Sequence, residues 1–163
     1  MTTDPTSRST DERMVSEHRP TVDVTPVVPA GWFVKMSWTV LAPDGQANVI
    51  ASSEPLSPHL STDTYAATQG DLLRKEFSGY HEFSMAPILV DGHPAWLREF
   101  AWVPPDGYPV TQHQLYCVVS TADGRRGITA TATTPSHSID RFREVFAAVL
   151  GSLRIASAPI ANK

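Results

Sequence analysis

The stretch AWLREFAWV, residues 95–103, and the stretch VTQHQLYCVVST, residues 110–121, decide how this chain folds. Both alternate with period two, the spacing of a β-strand whose successive side chains point to opposite faces. In the first, Trp96, Arg98, Phe100 and Trp102 share one face, and Leu97, Glu99, Ala101 and Val103 the other. The second divides into Gln112, Gln114, Tyr116 and Val118 against His113, Leu115, Cys117 and Val119. Pro104 to Gly107 turns one strand into the next. Paired, they present one face of aliphatic and small residues, suited to packing beneath helices. The other face mixes large aromatics with glutamines and an arginine. Glu99 falls on the aliphatic face, where a bulge or an ion pair is needed to accommodate it.

Working outward, residues 85–90 read as a short strand ending at Asp91–Gly92, a strong turn dipeptide. Asp123–Gly124 closes the long strand and leads to Ile128–Thr133, which is β-branched and small. Upstream, residues 22–28 read as a first strand and residues 33–40 alternate. The turn Pro43–Asp44–Gly45 joins the latter to residues 47–52 as a hairpin. Ser61 or Thr62 caps a helix running to about Phe77, and Gly79 is placed to stop it. Ser138 caps a second helix with Ile139, Phe142, Phe146, Val149, Leu150 and Leu153 on one stripe. Strand, hairpin, helix, antiparallel meander, helix: this order predicts an α+β layered sandwich with two principal helices.

A chain of 163 residues fits one domain with its own core. We place that domain at residues 21–155, between a polar, flexible tail at 1–20 and a shorter tail at 156–163. Met14 could be an internal start. No run approaches the roughly 20 apolar residues that span a bilayer, so stable membrane insertion is not expected. The net charge of -4, with 13 Lys and Arg spread along the chain, argues against nucleic acid as a partner. The single cysteine, Cys117, lies in an apolar run and reads as a small buried hydrophobe. The N-terminus shows no charged segment followed by an apolar core, so a cytoplasmic location is expected.

Catalytic chemistry is hard to find. None of the six histidines stands at a metal-ligand spacing, and no glycine-rich phosphate loop occurs, so neither a metal nor a cofactor is expected. Glu76, Glu82, Asp91 and Glu99 sit on different elements, which gives no acid/base pair. Ser136 and His137 with Asp140 invite a hydrolase reading. Adjacent Ser and His side chains rarely aim at one proton, and the G-x-S-x-G elbow is absent. What remains is the mixed face. Trp96, Arg98, Phe100, Trp102, Gln112, Gln114 and Tyr116 suit a groove that holds an apolar ligand with a few polar anchors. The opposing reading is that helices cover both faces and the aromatics are ordinary core.

The ordered set of PAGW at 29–32, VDGHPAW at 90–96, QHQLY at 112–116, ITATAT at 128–133 and FREVFAAVLGSLR at 142–154 resembles the DcrB-like family of the PsbP-like superfamily. The resemblance spans about residues 22–155. It implies an α/β/α sandwich with a mainly antiparallel sheet and no catalytic constellation, and members are commonly small binding or accessory proteins. Some, the Eag chaperones of type VI secretion, cradle transmembrane segments of effector proteins in the sheet groove. The related LpqN-like lipoproteins are associated with cell-envelope lipids. The resemblance therefore implies a non-enzymatic chaperone or adaptor for a hydrophobic segment of a partner protein, such as a secreted effector. The alternative is a carrier of lipid or a small apolar ligand, and an unrecognised hydrolase is more remote. An uncovered edge strand would also allow a homodimer.

Overall fold

Turn chemistry sets the strand order. The computed structural model describes residues 29–30 and 35–155. It places strand β1 at Met36–Leu41 and β2 at Asn48–Pro55, and helix α1 at Thr62–Glu76. Strands β3 at His81–Val90, β4 at His93–Trp102, β5 at Val110–Thr121 and β6 at Gly124–Pro135 follow, and α2 at Ile139–Gly151 ends the fold. Between β3 and β4 the two turn residues, Asp91 and Gly92, have φ of 49° and 77°. A tight hairpin twisting with its strands needs such a pair of positive values, which Asp-Gly supplies at little strain.

All six strands join one sheet in the order β1-β2-β6-β5-β4-β3, and every neighbouring pair is antiparallel. β3 to β6 form the expected meander; α1 lies on one face and α2 on the other. The architecture is thus an α/β/α sandwich. β1 and β3 are the edges of the sheet among the described residues.

Local chemistry explains the helix ends. Ser61 caps α1, its Oγ accepting from Thr64 N–H at 3.1 Å, with Asp63 in the first turn and Arg74 and Lys75 in the last. Ser138 does not cap α2 as expected. Its backbone is not in the extended cap conformation, it makes no side-chain cap bond, and a 3-10 turn over Ser136–Ser138 leads into the helix instead. The stripe on α2 packs as its spacing predicts. Phe142, Phe146 and Leu150 are buried on a floor of small side chains, Ala130 and Ala132 of β6 and Ala51 of β2.

Some bounds differ from the sequence reading. β3 begins at His81 rather than 85, because a register shift between Glu82 and Ser84 breaks the period-two pattern there. β6 extends to both sides of residues 128–133, since the long β5 pairs with it over its whole length. The expected strand at 22–28 and both tails lie outside the described residues.

Glu99 is accommodated in both of the ways its position demands. The bulge faces it on β3, and its Oε1 receives Arg143 Nη1 of α2 at 2.8 Å. His113, beside it on β5, is buried edge-on against Phe146, with Nε2 3.6 Å from Glu99 Oε1. Burial lowers the His113 pKa below its usual value, against a smaller raising effect of Glu99. The folded protein therefore holds this ring neutral, and as pH falls the unfolded chain takes up the proton first. His113 should thus lower stability progressively as pH drops below about 6.5, with no further loss once the folded-state pKa is passed. Urea midpoints at several values between pH 7.5 and 5 test this. The wild type should lose more than His113→Gln; equal loss would contradict it.

Candidate partner-binding face

The face opposite α2 is read most easily in rows across the sheet. One row runs Met85, Arg98, Gln114, Thr131, Ile50, Thr39 from β3 to β1. The row on one side of it runs Pro87, Trp96, Tyr116, Thr129, Ser52, Ser37, and the other holds Phe100, Gln112, Thr133, Asn48, Leu41. All seven residues expected to form the binding face do lie on it. Helix α1 also lies on it, and decides what each can do.

α1 crosses obliquely. Its first turn sits over β5, where Thr62 Oγ1 accepts from Val118 N–H at 3.2 Å and the Tyr65 ring meets Tyr116 edge-on. Just beyond its end, Phe77 packs on β4, 4.1 Å from the Trp102 ring and 6.3 Å from Phe100. Arg98, Phe100 and Tyr116 are buried beneath it. This corrects the expectation that all seven line an open groove: these three are core. Trp96 and Trp102 are half-buried at the two ends of the helix, and Gln112 and Gln114 are half-buried beside it.

Arg98 is the centre of the covered half. The side chain is 1% exposed. Its guanidinium donates to Tyr116 Oη at 3.3 Å and to the Ala66 carbonyl of α1 at 3.2 Å, and Nε stands 3.2 Å from Glu82 Oε2. Glu82 also accepts from Tyr80 Oη at 2.8 Å. Burial and that bond push the Tyr80 hydroxyl up to about 12, and burial raises Tyr116 further still, so both remain protonated donors. Gly70 makes room for this group: a Cβ there would overlap the Arg98 guanidinium. A glycine that only weakens a helix in sequence terms is, in the fold, the position that lets an arginine slide under it.

Among the described residues, no element covers the other half of the face. Tyr65 reaches over the sheet to Glu54 of β2 at 2.7 Å and Thr129 of β6 at 2.9 Å, which fixes the side of α1 that looks toward β6 and β2. Leu72, seven residues on and so on the same side, is 48% exposed. Beyond it the floor is Gln112, Gln114, Thr131 and Thr133, with Ile50 at 43% and Leu41 at 68% exposure toward the β1 edge. Gln112 Nε2 donates to Thr133 Oγ1 at 2.9 Å, and Gln114 Nε2 to Thr131 Oγ1 at 3.0 Å. These bonds tie the amide nitrogen of each glutamine to a threonine hydroxyl across the β5–β6 pair. Strands stand about 4.8 Å apart, so β6, β2 and β1 give a strip roughly 10–14 Å wide beside α1. An α-helix with its side chains is about 10 Å across. Ile50, Leu41, Leu72 and the two threonines escape sequence reading, because only the register assembles them.

Ser136 Oγ shares a hydrogen bond with Thr111 Oγ1 at 2.9 Å, while His137 and Asp140 are exposed. The three are not assembled as a triad. Among the described residues no group of three or more His, Cys, Asp or Glu is placed to hold a metal ion. No helix among them is long and apolar enough to cross a membrane.

A family model for DcrB matches residues 27–152, most of the chain. The chain belongs to the DcrB family. Among solved structures, this DcrB-family chain is similar to PA94 of Pseudomonas aeruginosa, a protein of unknown function described as a regulator by conjecture. The two share 17% identity at a TM-score of 0.67, over 80% of this chain and 90% of that one. At 0.48 it also matches LpqN of Mycobacterium tuberculosis, involved in cell envelope biogenesis, at 15% identity over 66% of this chain and 58% of that one. The PsbP of Synechocystis sp. PCC 6803 matches at the same TM-score and 12% identity, over 74% and 82%. No curated protein matches the sequence. At these identities the likeness to PA94 concerns the fold.

Proposed function

We propose that this DcrB-family protein is a non-catalytic accessory protein that holds an apolar helical segment of a partner polypeptide, in the cytoplasm, on the open half of the α1 face. The observation that carries the reading is the strip itself, which no element among the described residues covers. One helix covers β4 and β5, the sheet continues three strands further, the rim there is apolar, and the glutamine amides of the floor are tied to threonine hydroxyls. β2, eight residues long, offers about 26 Å of strip, the length of roughly 17 helical residues. The exposed Ile50, Leu41 and Leu72 accept an apolar surface, and Gln112 Oε1, which has no hydrogen bond among the described residues, receives a small donor from the segment.

Native mass spectrometry of the protein purified from its own host tests this. The expected result is a bound polypeptide containing an apolar stretch, retained by the wild type and lost from Ile50→Asp at unchanged melting temperature. A lipid mass in its place would assign the strip to a carrier and overturn the polypeptide reading. A polypeptide bound equally by Ile50→Asp would place binding elsewhere.

A further inference from the structure

A second surface lies on the far side of α1, at the corner where β3 and β4 meet the first turn of the helix. Register puts Pro87 opposite Trp96 and Leu89 opposite Pro94, all on the α1 face. With Thr62 and Asp63 of the helix they line a shallow depression of about 510 Å³. Leu89 is 73% exposed, and both prolines are exposed. The Trp96 ring is held in place, its Nε1–H donating to Asp63 Oδ1 at 2.7 Å. That bond does two things. It fixes the indole as one wall, and by donating to a carboxylate it makes the ring face more electron-rich, which strengthens its attraction for a cation. Asp63 is exposed, and among the described residues no basic side chain stands within ion-pair distance of it. A carboxylate with no basic partner among the described residues, a fixed indole and an apolar patch of two prolines and a leucine share one depression.

We infer that this corner binds a basic side chain, arginine in preference to lysine, of a partner polypeptide. The guanidinium plane stacks on Trp96 and its charge is answered by Asp63, while the alkyl stem and a neighbouring apolar residue cover Leu89, Pro87 and Pro94. A neutral apolar ligand would leave the carboxylate unanswered, and an anion would be repelled by it. The site is independent of the strip beyond α1, so either stands if the other fails.

The test is a titration of the isotopically labelled full chain with the blocked pentapeptide acetyl-Leu-Pro-Arg-Leu-Ala-amide. It is followed by the Trp96 indole N–H and the Leu89 methyl signals. Saturable shifts at these two probes are expected, weakened about tenfold when citrulline replaces arginine and again in Asp63→Asn. Leu89→Ser, an exposed change outside the helix, should also weaken binding, which guards against Asp63→Asn acting through α1 alone. No saturable shift up to about 10 mM peptide, or equal response to the citrulline peptide, would overturn the assignment.

Discussion

Replacing Arg98 by alanine is expected to destabilise the protein by about 3–5 kcal/mol, read as a fall in the urea midpoint at unchanged slope. The reason is the set of groups left behind. Tyr116 and the Ala66 carbonyl lose their donor inside the protein, Glu82 loses its buried cation, and a void opens beneath α1. Arg74 stays 3.4 Å from Glu82, so the carboxylate itself is not abandoned. Arg98→Met, which loses the charge and the donors but keeps most of the stem volume, should cost less because it leaves a smaller void. Gly70 sharpens the test. Alanine is the better helix former by about 1 kcal/mol, yet Gly70→Ala should destabilise, because its Cβ meets a guanidinium pinned on three sides. In an Arg98→Met background the same change should become neutral or stabilising, and an additive double mutant would show that the two positions are not coupled as described.

Phe146→Ala should cost a comparable amount, about 3–5 kcal/mol. The ring is 1% exposed and centres the contact of α2 with the sheet, edge-on to His113 and stacked with Phe142 at 5.9 Å. Its floor, Ala130 and Ala132, has no longer side chain with which to fill the void. Val145, its neighbour on the helix, is 48% exposed, so Val145→Ala should stay within about 0.5 kcal/mol. A loss at Phe146 no larger than at Val145 would mean that α2 is held by something other than this stripe.

The parts of the fold that were legible in the sequence rest on local chemistry. Asp91–Gly92 can hardly be anything but a tight turn, Ser61 has a free backbone N–H three residues on, and residues 142, 146 and 150 recur at helical spacing. The faces of β4 and β5 were legible for the same reason, since alternation is a property of each strand alone. Which half of a face a helix covers is not local. β5 does carry a trace of it: its α1-side residues switch from Gln112 and Gln114 to Tyr116 and Val118. That switch is the mark of a helix crossing from β5 at its start to β4 at its end. Without α1 in place it reads as a groove with amide anchors, which groups Arg98, Phe100 and Tyr116 with Trp96, Trp102, Gln112 and Gln114. Gly70 and the bulge at Glu82–Ser84 are invisible in the same way, because each answers a side chain far away in the chain. The family resemblance, carried by an ordered set of short motifs, agrees with the family match over residues 27–152.

The most direct test of the central claim is native mass spectrometry on three forms purified in parallel from the host. These are the wild type, Ile50→Asp on the open strip, and Val145→Asp on the exposed side of α2, with folding checked by melting temperature. The wild type and Val145→Asp should each carry a polypeptide with an apolar stretch, and Ile50→Asp should come out bare. Retention of that polypeptide by Ile50→Asp, or its loss from Val145→Asp instead, would contradict the placement of the partner beside α1.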